Sequence, residues 1–146
     1  MKDLILKLVA SDWKHLNGAV LLLRLFVGGL MLTHGLAKIM SFSTLAATFP
    51  DPIGVGSTFS LALVVFAEAV CSCLLILGIV TRLALIPLLI NMLVIVLVIH
   101  SGTPFSAKEL PVLYLGIYVV LFWSGAGKYS LDEVIRRKLI RRETLG

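Results

Sequence analysis

The chain has 146 residues, of which 59% are hydrophobic and 14% are charged, and its formal net charge is +5. A soluble domain averages about 45–50% apolar and about 25% charged residues, and a small soluble fold cannot bury so much apolar surface. The composition therefore excludes a disordered chain, a coiled coil and an ordinary soluble enzyme. Because the basic residues flank apolar runs, we expect a lipid bilayer as the partner and no nucleic acid.

The N-terminal residues predict an amphipathic segment at the membrane interface. Its apolar side chains recur on one helical face, with lysines opposite, and they are Leu4, Ile5, Leu8, Val9 and Trp13. Asp3 and Asp12 interrupt any early apolar core. No cleavable signal peptide is therefore expected.

Four apolar runs predict four membrane-spanning helices, because a helix needs about 20 apolar residues to cross the bilayer core. These runs cover residues 18–40, 58–80, 83–99 and 110–127. The link around Thr81 and Arg82 is short, so the second and third spans form an antiparallel hairpin. Residues 41–57 contain helically spaced apolar residues and then two prolines and two glycines, which predicts a short helix over the mouth of the bundle and a turn.

The C-terminal residues 130–146 predict a basic amphipathic helix. Ser130 and Glu133 have the spacing of a capping box, which marks a helix start. Four apolar side chains follow on one face, namely Leu131, Val134, Ile135 and Leu139, and five basic residues lie between Arg136 and Arg142. This helix either contacts anionic head groups or forms a solvated tail. The predicted fold is an all-α, four-helix integral membrane bundle that forms a single domain over residues 1–146.

The distribution of basic residues predicts the orientation. With four spans, both termini lie on one side of the membrane. Ten basic residues fall on that side, and they are Lys2, Lys7, Lys14, Arg82, Lys128, Arg136, Arg137, Lys138, Arg141 and Arg142. Only Lys38 and Lys108 fall on the other side. The positive-inside rule then places both termini in the cytoplasm.

Ionisable residues inside a span are costly, so they face the bundle interior, line a cavity or extend to the interface. Arg24 lies six residues into the first span, where it can extend to the interface or point inward and pair with Glu68. The Glu68 side chain is too short to reach water from the middle of its span. It must be protonated, paired with Arg24, His34 or Lys38, or placed beside a water-filled cavity. Alternatively, it is a neutral hydrogen-bonding group between helices.

His34 and Lys38 lie four residues apart, on one face at the outer end of the first span. Gly35 between them permits close approach of another helix. Glu109 opens the fourth span at the same depth, and Tyr114 and Tyr118 follow on one face. In the third span, Asn91 is expected to form a helix–helix hydrogen bond.

Taken together, these depths predict an outward-facing polar pocket for a small molecule with a polar head and an apolar body. Glu68 and His34 are the catalytic candidates. The binding candidates are His34, Lys38, Glu109 and Tyr114. Packing or anchoring roles remain the alternative for each of them.

No cofactor motif is present in the sequence. His34, His100 and Glu109 are zinc-ligand types, but their spacing does not support a metal site. The histidines do not fall at depths that suit haem ligation. Phosphate-loop, dinucleotide and hydrolase motifs are also missing from the sequence.

Four segments, in this order, resemble the DoxX family of bacterial inner-membrane proteins. They are LLLRLFVGGLMLTHGLAKI, AEAVCSCLLILGIVTRLA, ELPVLYLG and GAGKYSLDE, and they are spread over most of the chain, from residue 21 to residue 133. The resemblance implies a four-helix membrane bundle in the bacterial inner membrane and a link to quinone chemistry, with a quinone as the expected ligand. It points to Arg24, His34, Gly35, Lys38, Glu68, Arg82, Glu109 and residues 125–132. Electron transfer would need a partner oxidoreductase subunit or a diffusing quinone.

Three functions remain open from the sequence, so enzymatic activity is undecided. The first is a quinone-linked, oxidoreductase-associated subunit with its ligand in the outer pocket. The second is a small-molecule transporter or carrier that uses Glu68, and the third is a non-catalytic assembly or scaffold subunit. A homo-oligomer is compatible with all three.

Overall fold

The computed structural model describes residues 15–143, and every regular element in that range is a helix. The helices are α1 (Leu16–Met40), α2 (Phe42–Leu45), α3 (Ser57–Leu77), α4 (Thr81–Ile99), α5 (Phe105–Ser124) and α6 (Leu131–Glu143). Helices α1, α3, α4 and α5 are long and apolar enough to span a membrane, which confirms the predicted fold class. The predicted N-terminal amphipathic segment lies outside the described residues.

The helix bounds differ from the predicted spans mainly at α5. This helix begins at Phe105, five residues before the predicted start, and therefore includes Lys108 and Glu109 in its first turns. Charged residues are tolerated there because the end of a spanning helix lies outside the hydrocarbon core. The second span ends at Leu77, because Gly78 adopts a left-handed conformation (φ 70°) and closes the helix.

The four spanning helices form a closed ring in which α1 packs on α3, α3 on α4, α4 on α5, and α5 on α1. The amide of Lys128 donates a hydrogen bond to Asn17 Oδ1 (3.0 Å), which joins the segment after α5 to the start of α1. We call this end of the bundle, with Asn17, residues 78–82 and residues 125–132, the terminal end. The opposite end, with residues 38–57 and 100–105, is the loop end.

The interior of the ring is an apolar core that contains side chains from all four long helices. Its most deeply buried members include Leu75, Leu85, Leu88, Tyr118 and Leu121. Large apolar side chains also cover the outside of the bundle, for example Leu22, Phe26 and Trp123. A soluble domain rarely exposes such a continuous apolar surface, so this exterior is suited to lipid.

A π-helical segment, Phe66–Cys71, interrupts α3 in its middle. Single π turns inside α-helices often occur at functional sites, because they rotate the following side chains. Four of the six residues in this segment are buried, and Glu68 is one of them. The segment therefore directs the carboxylate of Glu68 into the bundle.

Helix α6 begins where the capping-box spacing predicted it. Ser130 Oγ accepts a hydrogen bond from the Glu133 amide (3.2 Å), but the Glu133 carboxylate binds Arg136 and Arg137 instead of the cap. Hydrogen bonds from Arg136, and then from Arg137, lower the pKa of Glu133 to about 2. Leu131, Val134, Ile135 and Leu139 are all exposed along α6.

Candidate functional site

Lys38, Glu68 and Asn91 form a polar cluster, here called the Glu68 cluster, near the loop end. The ammonium of Lys38 lies 2.6 Å from Glu68 Oε2, and the amide of Asn91 donates to Glu68 Oε1 over 3.1 Å. The Glu68 side chain is 3% exposed and that of Lys38 is 25% exposed. Each carboxylate oxygen thus has a donor, which is the arrangement that a buried charge in a bilayer requires.

Gly35 explains why Lys38 reaches Glu68. A Cβ atom at Gly35 would lie 2.6 Å from the Ala69 nitrogen and 2.7 Å from the Glu68 carbonyl carbon. The backbones of α1 and α3 therefore touch here, which confirms the close approach predicted for this glycine. Lys38 lies three residues further along α1 and so shares the face of Gly35 that meets α3.

A cavity of about 450 Å³ adjoins the Glu68 cluster between α3, α4 and the connection after α2. Lys38, Glu68 and Asn91 all line it, with His100 and Ser60 as further polar residues. The rest of the wall is mostly apolar, and its members include Leu63, Phe66, Ile90, Val94, Ile95 and Ile99. A mostly apolar cleft with a few convergent polar groups is typical of a small-molecule site, and its volume falls within the usual range of about 300–1,000 Å³.

The connection after α2 forms one wall of the cavity and is anchored by Asp51. Its carboxylate accepts hydrogen bonds from the Ser60 hydroxyl (2.7 Å), the Gly56 amide (2.7 Å) and the Val55 amide (3.0 Å). These bonds, the one from Ser60 first, lower the pKa of Asp51. Asp51 thus joins this connection to the first turn of α3, and neighbouring Pro50 and Pro52 line the cavity.

The predicted pocket residues do not all meet in this cavity. His34 is exposed on the outside of α1, and its ring contacts that of Tyr114 edge-on, with centroids 6.4 Å apart. Tyr114 is buried against Tyr118 in the core, and Glu109 is exposed on α5. The reason is rotational: Gly35 faces α3, so His34, one residue earlier, points away from α3.

Arg24 does not pair with Glu68, because its guanidinium is bonded to backbone carbonyls at the terminal end. Nε donates to Leu75 O (3.0 Å), Nη2 to Ile76 O (3.1 Å), and Nη1 to the carbonyl oxygens of Ala126 and Tyr129. Only 1% of Arg24 is exposed, so it does not extend to the interface either. The cation joins the end of α3 to the segment that follows α5.

The comparisons with known proteins agree with this architecture. The model of the DoxX family matches residues 19–101, which is more than half of the chain. The chain belongs to the DoxX family. It is also 31% identical, over 164 aligned positions, to an uncharacterised membrane protein of Mycobacterium tuberculosis, with 92% of this chain and 93% of the relative covered. No solved structure matches the chain significantly.

The sequence segments that resemble the DoxX family meet at two places in this DoxX protein. Arg24, the hairpin turn at Gly78 and residues 125–132 meet at the terminal end, where a Cβ on Gly78 would lie 2.7 Å from Arg24 Nη2. The segments with Lys38 and Glu68 meet at the other place, the Glu68 cluster. The DoxX segments therefore build two separate polar centres, one at each end of the bundle.

Three polar residues that were not among the predicted catalytic or binding candidates also form specific hydrogen bonds in or near these centres. Asn91 forms the predicted helix–helix hydrogen bond, and its acceptor is Glu68. Asp51 was missed, although an aspartate before a proline and a glycine-rich segment is a recognisable turn signal. Asp132 was noted only as part of a segment, yet its carboxylate accepts the amides of Val80 (2.7 Å) and Thr81 (2.9 Å) at the start of α4.

Proposed function

We propose that this DoxX protein binds a small amphipathic molecule in the loop-end cavity, with a quinone or quinol as the favoured chemical class. The observation that supports it most strongly is the position of the Glu68 cluster at the wall of an otherwise apolar cavity. A polar head group would contact the cluster, and an apolar body would fill the space between α3 and α4.

The polar groups of the cavity match both forms of a quinone head. The Lys38 ammonium and the Asn91 amide are hydrogen-bond donors, which suit a quinone carbonyl. The Glu68 carboxylate is an acceptor, which suits the hydroxyl of a quinol. Since Lys38 lines the cavity and is one-quarter exposed, its long side chain can turn from Glu68 toward the head group of a ligand.

The cavity wall also supports entry from the membrane. Phe66, Ile90 and Ile99 line the cavity and are 48%, 55% and 40% exposed, respectively. The wall between α3 and α4 is therefore thin and partly open on its outer side. A lipid-soluble molecule would reach the Glu68 cluster laterally, without crossing the connection that Asp51 anchors.

In this proposal the chain is a quinone-binding subunit of a membrane oxidoreductase. Its own residues hold the head group, and a partner subunit supplies the electrons. The family resemblance supports the link to quinone chemistry, and the cavity supports the binding role. The basic residues around α6 and the hairpin support a bacterial inner-membrane location with both termini in the cytoplasm.

Direct titration tests the binding proposal. A short-chain benzoquinone is titrated into the purified full-length protein in mild detergent, and the dissociation constant is measured. For Glu68→Gln and Lys38→Met we expect affinities weaker by roughly tenfold or more, the effect of losing one charge-assisted hydrogen bond. The matched controls are Glu133→Gln and Lys138→Met, which make the same changes on exposed α6, and their affinity should equal that of the wild type.

A wild-type protein without measurable quinone affinity would refute the quinone assignment. Equal affinities in the Glu68, Lys38 and control variants would place the ligand elsewhere. Melting temperatures of all variants are measured in parallel, so that a loss of affinity is separated from a loss of fold.

A structural role is the second candidate, because both oxygens of Glu68 already have donors from α1 and α4. In that case the Glu68 cluster only joins three helices. The titration distinguishes the two roles: a purely structural cluster predicts that affinity and stability fall together, whereas a binding cluster predicts a loss of affinity in protein that remains folded.

A further inference from the structure

A second cavity, of about 560 Å³, opens at the terminal end, far along the bundle from the Glu68 cluster. We call it the terminal cleft. Its walls come from the start of α1, the turn before α4, the segment after α5 and the first turns of α6. Its basic lining residues are Arg82, Lys128 and Arg136, and its acidic lining residues are Asp132 and Glu133.

The charges around the terminal cleft are not balanced. Asp132 is occupied by the amides at the start of α4, and Glu133 by Arg136 and Arg137. Among residues 15–143, Arg82 and Lys128 form no ion pair, and both are exposed. Two positive charges therefore border the cleft with no carboxylate held against them.

Unused hydrogen-bond donors lie beside these two charges. An α-helix leaves its first four amides without an intrahelical acceptor, and Asp132 binds only two of them at α4. The amides of Arg82 and Leu83 remain. Thr81 also lines the cleft, and its hydroxyl is buried and lacks a partner within the described part of the chain. Helix starts with free amides and adjacent cations favour phosphate oxygens.

The local backbone fixes Arg82 and Lys128 at the cleft. The Arg82 guanidinium lies 3.7 Å from the position that a Cβ on Gly125 would occupy, so it packs over this glycine. The amide of Lys128 is bonded to Asn17, which fixes the backbone of Lys128 and leaves its side chain exposed. The two cations thus flank one opening.

We propose that the terminal cleft is a binding site for a phosphate group. Its cations, its unused donors and the buried Thr81 hydroxyl are complementary to phosphate oxygens. Val80 and Leu83, which are 46% and 65% exposed, also line the cleft and provide an apolar rim. The rim favours the head group of an anionic phospholipid, whose acyl chains would follow α4, over free phosphate.

Three titrations of the purified full-length protein in mild detergent test the site and identify the source of the phosphate. The ligands are dioctanoyl phosphatidylglycerol, inorganic phosphate and dioctanoylglycerol, which lacks a phosphate. The variants are Arg82→Gln and Lys128→Gln. The matched control is Lys138→Gln, which removes one charge from α6 at a residue that does not line the cleft.

We expect Arg82→Gln and Lys128→Gln each to weaken phosphatidylglycerol binding roughly tenfold, since each removes one charge-assisted contact. Lys138→Gln should change it by less than about twofold. Dioctanoylglycerol binding should be the same in all four proteins. If Arg82→Gln and Lys128→Gln weaken the binding of inorganic phosphate but not that of phosphatidylglycerol, the site binds free phosphate.

The proposal is overturned if Arg82→Gln and Lys128→Gln bind both phosphate-containing ligands as the Lys138 control does, or if the wild type binds neither. If Arg82→Gln fails to fold, Lys128→Gln still decides the test, because the Lys128 side chain is exposed and forms no ion pair among the described residues.

Discussion

Within the described part of the chain, one arginine and one glutamate are deeply buried in the spans, and they are accommodated in different ways. At the terminal end, Arg24 is surrounded by neutral backbone carbonyls from α3 and the segment after α5. Near the loop end, Glu68 is paired with Lys38 and Asn91 and lines a cavity. All of the Arg24 partners are fixed backbone atoms, whereas the partners of Glu68 are side chains, and one of them is partly exposed.

This difference separates a structural role from a binding role. Backbone carbonyls cannot turn toward a ligand without unfolding, so Arg24 is expected to hold the bundle together. Side-chain donors can exchange one acceptor for another at a small cost. The Glu68 cluster can therefore bind a ligand, while the Arg24 centre can only stabilise the fold.

The largest expected effect is a loss of stability in Arg24→Gln. This change removes the donor from four backbone carbonyls, of which only Leu75 O keeps another donor, the Gly78 amide. At about 1–3 kcal/mol for each of the three part-buried carbonyls left unpaired, the free energy of unfolding should fall by at least about 3 kcal/mol. Arg24→Lys should recover only part of it, because one ammonium cannot replace the planar fork of a guanidinium. Unfolding in detergent by chemical denaturant measures both variants.

Glu68→Gln is the reference for that comparison. It should cost less stability than Arg24→Gln, because Lys38 can extend to water when it loses its partner. Equal losses of unfolding free energy in the two variants would mean that the two centres are alike, and the distinction between them would fail.

A medium effect is expected from Gly35→Ala in α1, with Gly29→Ala in the same helix as its control. A Cβ at Gly35 would press on the backbone of Glu68 and Ala69, and such overpacking typically costs about 1–3 kcal/mol. Gly29 has nothing within 4 Å of its Cβ position, so Gly29→Ala should be neutral or stabilising by up to about 1 kcal/mol. Thermal unfolding of both variants in one detergent makes the comparison.

Gly35→Ala should also weaken ligand binding, because it displaces Glu68 from Lys38, whereas Gly29→Ala should leave binding unchanged. If Gly35→Ala were as stable as Gly29→Ala, the backbone contact between α1 and α3 would be disproved.

The smallest effect is a pH dependence at the loop end. The pKa of Asp51 lies below its ordinary value of 3.8, with the Ser60 hydrogen bond as the largest cause. Its contribution to stability is therefore present above pH 3.8 and is lost as the pH falls through 3.8 toward the lower pKa of the folded state. Melting temperatures from pH 7 to pH 3 should fall less steeply in Asp51→Asn than in the wild type.

Glu133→Gln provides the positive control for this slope, since hydrogen bonds at the terminal end lower the pKa of Glu133 too, and its removal should also make the melting temperature fall less steeply. If Asp51→Asn has the same pH slope as the wild type, the hydrogen bonds of Asp51 do not anchor the connection that lines the cavity.

The spans could be predicted from the sequence because a helix that crosses a bilayer must have a minimum length and a high mean hydropathy. A specific contact for Lys38, Glu68 and Gly35 was also predictable. An ionisable side chain in a span needs a polar partner, and a glycine in a span permits close helix contact. The residues that bind Glu68 could not be selected from the candidates by sequence alone. This selection depends on the rotation of α1 and on the π-helical turn in α3, and neither leaves a clear signal in the sequence.

That rotation also explains the placement of the remaining candidates. His34 and Lys38 share a face by spacing, but Lys38 also shares the face of Gly35 that meets α3. Its long side chain therefore contacts Glu68, whereas the His34 ring contacts Tyr114. The carbonyl partners of Arg24 belong to residues of any type, so no motif could have identified them. Asn91 was predictable because an amide in a span needs a partner on another helix.

Retention of small molecules by the purified protein tests the central claim most directly. Mass spectrometry compares the wild type with Val94→Phe, which fills the cavity but keeps the Glu68 cluster, and with Val120→Phe, which adds the same bulk at an exposed residue of α5. The account predicts that the wild type and Val120→Phe retain the same amphipathic molecule and that Val94→Phe does not. Equal retention by all three proteins, or none by the wild type, would contradict it.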